Sequence, residues 1–177
     1  SPVTTLPAVA QSTVLTGDGG TVTGRSVTTG EELWHYRRGE ELCALLAAWP
    51  GSENLALAAY RNSRGCSEIT GLDAATGERR GNRTSDADAE IELSYGTGQV
   101  LAVGPWRLET WGANLVRGIE YGRVDAPVNP GVFPNRDNCR IFSAVSGDDR
   151  VAVLERCEAD RGYRLSVFST NFDSEEQ

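Results

Sequence analysis

Two stretches of this 177-residue chain echo one another at a distance of 96 residues. Cys43 to Leu57 reads CALLAAWPGSENLAL, and Cys139 to Val153 reads CRIFSAVSGDDRVAV. The cysteines coincide, Ala48 meets Ala144, Gly51 meets Gly147, and Leu55–Ala56–Leu57 meets Val151–Ala152–Val153. A second echo has half that spacing: Thr29–Gly30–Glu31 and Thr76–Gly77–Glu78 lie 47 residues apart, each after a strand-like segment. Short strands recurring with such a period must stack as equivalent units, because one unit cannot bury its apolar face alone.

The expected fold is therefore all-β. A β-propeller is the architecture that fits: about four blade-like antiparallel units in a single region, forming an arc of a larger ring. Alternating or short apolar runs bounded by Gly, Asn and Asp mark the strands. The units are expected at 1–40, 41–85, 86–126 and 138–170, with a frayed acidic tail over 171–177 and a proline-rich loop at Pro127–Pro134. In the first unit the innermost strand is either missing or a broken one at Val3–Val9, and the last unit supplies three strands. Around Arg107–Leu115 and Val116–Val124 the strands read as long and irregular. Leu42–Trp49 has a helical composition, but it ends at Pro50 and echoes the β-branched, aromatic Arg140–Val145, so both are read as strands.

Charge narrows the partners. The formal net charge is −8, and the arginines are scattered among carboxylates with no basic stripe, which argues against nucleic acid. None of the 17 basic residues is Lys; with many Ala, Gly and Arg, this points to a GC-rich, bacterial genome. No apolar run reaches the roughly 18 residues that span a bilayer. The chain opens on Ser1, so the expectation is a processed or excised segment whose anchor or export signal lies upstream.

The four cysteines contain no CxxC pair, which leaves zinc-ribbon and thioredoxin-like motifs unsupported. The midpoint between Cys139 and Cys157 falls in Ser146–Gly147–Asp148–Asp149, so the two face each other across a hairpin. Cys43 and Cys66 are centred near the Pro50–Gly51–Ser52–Glu53 turn, with Cys66 just past the second strand. Two local disulfides imply an oxidising, extracytoplasmic setting. Four buried thiols in a cytosolic protein are the alternative; the near-repeat of the pairing favours disulfides.

Gly24–Tyr36 (GRSVTTGEELWHY) and Gly71–Arg79 (GLDAATGER) resemble the quinoprotein-like propeller repeat. In that family a strand ends in an Ala-Leu-Asp-like run, an x-Thr-Gly turn follows, and a Trp-bearing outer strand comes next. Leu72–Glu78 carries the turn half, and Thr28–Trp34 carries the turn and the Trp. Glycine supplies the positive φ, and the Trp is expected to pack between neighbouring blades. The third unit has at best Thr110–Trp111–Gly112, the fourth has no Thr-Gly turn, and the second has Arg80 or Gly81 in place of the Trp. Members that use pyrroloquinoline quinone have a full ring, a calcium ion, a catalytic Asp and adjacent cysteines. This chain has no adjacent cysteines, and no cofactor is expected.

Chemistry-bearing residues are sparse. His35, the single histidine, sits between Trp34 and Tyr36 on a strand and reads as a surface or inter-blade residue. Asp86–Ala87–Asp88–Ala89–Glu90–Ile91–Glu92 alternates as a strand with one wet face, and neither it nor Asp148–Asp149 has EF-hand spacing, so no metal site is expected. Gly17–Asp18–Gly19–Gly20 reads as a hairpin turn, since no Lys-Ser/Thr follows it. Asn82–Arg83–Thr84 matches the glycosylation pattern by chance. No catalytic constellation emerges, and the chain is not expected to be an enzyme.

Trp49, Tyr60, Tyr95, Trp106 and Trp111, near strand ends or turns, are the interaction candidates, although for each taken singly inter-blade packing is the favoured role. The functional expectation is a non-catalytic extracytoplasmic propeller, in a periplasm-like space or at the cell surface, that serves as a protein-interaction platform of the cell envelope. The alternative is a ligand-binding or enzymatic propeller acting on a sugar, a peptidoglycan fragment or a quinone.

Overall fold

Short alternating runs, cut by Gly, Asn and Asp, fold into strands throughout the computed structural model, which describes residues 6–96, 98–124, 136–147 and 149–170. Four antiparallel meanders follow in chain order. The first joins β1 (Ala8–Ala10), β2 (Thr13–Asp18), β3 (Thr21–Ser26) and β4 (Glu32–Arg37). The second joins β5 (Leu42–Ala48), β6 (Leu55–Tyr60), β7 (Glu68–Asp73) and β8 (Arg79–Thr84). The third joins β9 (Glu92–Gly96), β10 (Gln99–Val103), β11 (Arg107–Trp111) and β12 (Arg117–Gly122). In the fourth, β13 (Cys139–Gly147), β14 (Arg150–Cys157) and β15 (Arg164–Ser169) pair side by side. No helix among the described residues is long and apolar enough to cross a membrane.

The Thr-Gly echo is a structural equivalence. Ser26 Oγ accepts the N–H groups of Thr28 and Thr29, and Asp73 Oδ1 accepts those of Ala75 and Thr76. Gly30 and Gly77 both take φ 75° and donate back to the carbonyls of Ser26 and Asp73. A short polar side chain opens each turn, and a left-handed glycine closes it.

Innermost strands touch in sequence, β1 with β5, β5 with β9 and β9 with β13, so the sheets stand as successive blades around a common inner side. Core lies between blades. Leu15, Val22 and Trp34 meet Ala56, Ala58, Tyr60 and Leu72; Leu57 and Ile69 meet Val100 and Trp111; Leu101, Leu108 and Ile119 meet Ile141, Val151 and Val153.

At each junction an outermost strand reaches into the next blade. Trp34 on β4 donates through Nε1 to the Ala74 carbonyl (3.1 Å), and its ring fills the space that a Cβ on Gly24 or Gly77 would need. This is the inter-blade role expected of the repeat's tryptophan. On β8, Arg83 donates to the Leu115 carbonyl (3.0 Å) and pairs with Glu109, while Leu115 packs over Gly71 and Gly81. On β12, Tyr121 stacks on Phe168 at 4.7 Å and donates to Glu155 (2.8 Å). Three outermost strands thus reach forward with three chemistries, Arg83 standing two residues beyond the position that matches Trp34.

Several local expectations are corrected. The first blade has an innermost strand at Ala8–Ala10, paired with β2, where the sequence reading has it missing or broken over Val3–Val9; residues 3–5 of that stretch lie outside the described residues. β11 and β12 are of ordinary length, because the left-handed Leu115 ends a tight turn between them, while the register shift between Glu109 and Trp111 bears out the expected irregularity. β2 runs on through Gly17 and Asp18, leaving Gly19–Gly20 as the turn. Residues 85–91 form a connection and not an alternating strand, since the Asp88 carboxylate is drawn inward by three donors. The loop expected at Pro127–Pro134 and the tail over 171–177 lie outside the described residues, as does Asp148.

Candidate interaction site

An up-and-down meander gathers its loops at two ends. The end where β1, β5, β9 and β13 begin carries the turns after β2, β6, β10 and β14 and the links from one blade to the next. Both disulfides stand there. Cys43–Cys66 ties β5 to the loop after β6, with Cys43 at a β-bulge between Leu42 and Ala44. Cys139–Cys157 joins directly paired positions of β13 and β14.

On this end the turn between β10 and β11 holds Trp106 in a braced setting. Its N–H and that of Arg107 both donate to Asp88 Oδ2, at 2.7 and 2.9 Å, and Arg123 donates to Asp88 Oδ1 at 3.0 Å. Gly104 lets the carboxylate approach, since a Cβ there would overlap it. The Trp106 carbonyl accepts from the Arg123 N–H at 2.7 Å, and the Pro105 carbonyl accepts from the Ile141 N–H at 2.7 Å, fixing the turn to the fourth blade. Beneath it the buried Arg107 donates to Glu109, Glu120 and the Arg123 carbonyl, and Trp111 Nε1 donates to Glu109 Oε2 at 2.8 Å. Burial pulls the Arg107 guanidinium down, but the Glu109 and Glu120 carboxylates outweigh it and hold the group above its ordinary range.

With its backbone locked, Trp106 leaves 41% of itself in solvent. It borders an open cleft of about 490 Å³ lined also by Arg140, Phe142, Arg156, Asp137, Asn138 and Glu158. Phe142 extends the aromatic surface. Tyr163 meets it edge-on at 5.0 Å, and the Arg140 guanidinium lies 5.4 Å from its ring centroid. A neighbouring hollow of about 550 Å³ reaches Arg136, Ala159 and the second disulfide. Behind the cleft, Glu155 is fully buried and accepts from Tyr121 and Ser166; burial and the Glu155 hydrogen bond push the Tyr121 phenol up. Glu155 also brings a carboxylate within 4.8 Å of the Cys139 and Cys157 sulfurs, but both sulfurs are committed to the disulfide. Two aromatic rings flanked by charges of both signs suit a protein side chain better than a phosphate or a reactive carbonyl.

The other aromatic candidates serve the frame. Trp49 is buried, donates to the Gly98 carbonyl at 2.8 Å and meets the half-buried Tyr95 edge-on at 5.6 Å. Trp111 is buried against Glu109. Tyr60 is fully buried beneath Arg38, whose guanidinium lies 5.0 Å from its ring centroid, and burial pushes its phenol up. His35 is exposed and donates to Glu32 at 2.8 Å. Asn82 lies in β8 and accepts from Arg79. Phe142, Tyr163 and Arg140 were missed, because within a strand pattern an outward aromatic looks like an inward one until the bulge at 141–143 is known.

The fold is that of a β-propeller, and solved structures support this class. No family model matches the chain, and no curated protein does. The chain is similar to BamB from Moraxella catarrhalis, with TM-score 0.61 and 14% identity over 94% of this chain and 49% of that one. A chain of a mitotic checkpoint complex gives TM-score 0.61 and 10% identity over 93% of this chain and 49% of that one. The computationally designed Ika4 protein gives TM-score 0.55 and 14% identity over 94% of this chain and 91% of that one. This chain thus spans about half the length of the first two of these chains and nearly all of the third.

Proposed function

We propose that the chain is a non-catalytic, extracytoplasmic propeller of the quinoprotein-like type that serves as a protein-interaction platform in a cell envelope, with Trp106 as the anchor for its partner. The observation that carries this reading is the setting of Trp106: a tryptophan whose backbone is clamped by Asp88 and Arg123 loses little freedom on binding, and such rigid aromatics dominate protein interfaces. Paired disulfides on the same end support an oxidising compartment. The Gly77 turn receiving Trp34 supports the quinoprotein-like relationship. Membership of a checkpoint complex by one similar chain adds fold-level analogy.

A photo-crosslinking amino acid placed at position 106, in the native envelope, tests the reading. The expected result is one discrete protein adduct from position 106 and none from the exposed position 35, with Trp106→Ala weakening capture on the order of tenfold or more. Equal labelling from both positions, or none from 106, would overturn it.

A further inference from the structure

Beside the Cys139–Cys157 disulfide lies a group that a structural disulfide has no use for. Cys139 pairs directly with Cys157, and Glu155 stands two residues earlier on β14, so all three turn to the face that packs on the third blade. A Glu155 carboxylate oxygen lies within 4.8 Å of both sulfurs. Glu155 is wholly buried, and its partners all meet one oxygen: Tyr121 at 2.8 Å, Ser166 at 2.7 Å and Arg136 at 3.5 Å reach Oε1. Oε2 is buried with no hydrogen-bond partner among the described residues. A bonded pair of sulfurs has neither a proton nor a positive charge to give it, and a buried carboxylate oxygen left bare is costly.

We propose that Cys139, Cys157 and Glu155 form a zinc-class metal site, closed by the disulfide and opened by a dithiol reductant. A thiolate of the reductant attacks the sulfur of Cys157, the less buried of the two, and the S–S bond breaks as Cys139 departs and takes up a proton. The second thiol then breaks the mixed disulfide. Two electrons and two protons thus pass to the cysteines, and the reductant leaves as its own disulfide. A divalent cation displaces those two protons and binds both thiolates. The hollow of about 550 Å³ lined by Cys139 and Cys157 admits both reagents. The frame does not need the S–S bond to keep the ligands together. The ladder continues at Arg140–Arg156 and Ile141–Glu155, and the N–H groups of Cys139 and Cys157 are held by the Arg136 carbonyl and the Asp160 carboxylate. A tetrahedral ion with Zn–S of about 2.3 Å sets its sulfurs roughly 3.8 Å apart, inside the span the three ligand atoms already share. Thiolate sulfur with one carboxylate suits zinc and not calcium or magnesium. The contacts on Oε1 orient the carboxylate and leave Oε2 for the ion, as the outer partners of a metal ligand do. Two thiolates and one carboxylate are balanced by the cation and the Arg136 guanidinium.

Anaerobic titration of the dithiol-reduced, desalted chain with Co²⁺, a spectroscopic stand-in for zinc, gives the test. The expected result is one ion per chain, a thiolate-to-cobalt charge-transfer band that Zn²⁺ abolishes, a β-sheet circular dichroism spectrum, and no binding by the oxidised chain. X-ray absorption of the zinc form should find two sulfurs and at least one oxygen around the ion, a count that stands whether or not a variant folds. Glu155→Gln, which keeps an acceptor for Tyr121 and Ser166, should raise the dissociation constant at least about tenfold. Cys139→Ser should abolish the band, while Cys43→Ser, which in the reduced chain removes a thiol outside the cluster, should preserve it. A reduced chain without the band would overturn the proposal, as would a band that Glu155→Gln leaves unchanged or that Cys43→Ser removes. Four sulfurs around the ion would overturn it too, and so would a reduced chain that loses its sheet spectrum and does not regain it with metal.

Discussion

At the residue scale, the Thr-Gly turns show how much one hydrogen atom in place of a side chain decides. Gly30 and Gly77 share the same φ of 75°, but Gly30 faces open space while a Cβ on Gly77 would lie 2.7 Å from the Trp34 ring. Gly30→Ala is expected to cost about 1 kcal/mol, the penalty of a left-handed conformation alone. Gly77→Ala is expected to cost about 2 to 4 kcal/mol, because it must also displace the packed tryptophan. Urea denaturation of the pair measures the difference, and equal losses would contradict the Trp34 contact. Asp73 opens the same turn. The Arg80 hydrogen bond chiefly holds its carboxyl below the usual range against the effect of burial, with help from the Ala75 and Thr76 N–H groups. A lowered folded-state pKa contributes stability that is present above the unfolded value, near 4, and is lost as the pH falls through the folded value. Wild type is therefore expected to hold a higher denaturation midpoint than Asp73→Asn at pH 6, with the gap closing below about pH 4. A constant gap would rule out the ion pair. The Gly, Asp and Trp of this device were legible in the sequence because each has one strong local reason to be there. For Tyr60 and Trp111 the sequence favoured packing between blades but could not say which aromatic stays exposed, since burial belongs to the partner blade and leaves no trace near the residue itself.

At the element scale, the strands were largely legible and their faces were not. The echo at 96 residues sets Leu57 against Val153, yet both point to the third blade, Leu57 forward from the second and Val153 backward from the fourth. Matching strings thus present opposite faces. A shift of one residue exchanges the two sides of a strand, and the bulges at 42–44 and 141–143 provide such shifts. The cysteine pairs survive the exchange because they sit at strand ends, where a bulge can re-aim them. Cys139–Cys157 is the cross-hairpin pair expected from spacing, and Cys43–Cys66 reaches beyond the second strand into the loop at 61–67. The loops they close span 23 and 18 residues, and each bond is expected to contribute about 3 kcal/mol through the unfolded chain. Melting with and without a reductant checks this. Loss of the Cys139–Cys157 bond should loosen the floor of the Trp106 cleft, and an unchanged melting temperature would show that neither bond constrains the fold.

At the scale of the whole molecule, repetition explains why fold was readable and site was not. Each blade needs only an apolar face, a turn residue and a side chain that reaches forward, and Trp34, Arg83 and Tyr121 fill that last role with three different chemistries. Sequence pattern records the common demand and says little about the exceptions. Trp106 is such an exception, held by Asp88, Gly104 and Arg123 from three separate segments, and no local motif joins them. We propose this braced aromatic end as the working surface of the propeller. Hydroxyl-radical footprinting of the chain, free and in its native envelope, shows whether a partner covers that end. Protection concentrated on Trp106, Phe142 and Tyr163, with His35 labelled equally in both states, is the expected result. Unchanged labelling of those three aromatics in the envelope would contradict it.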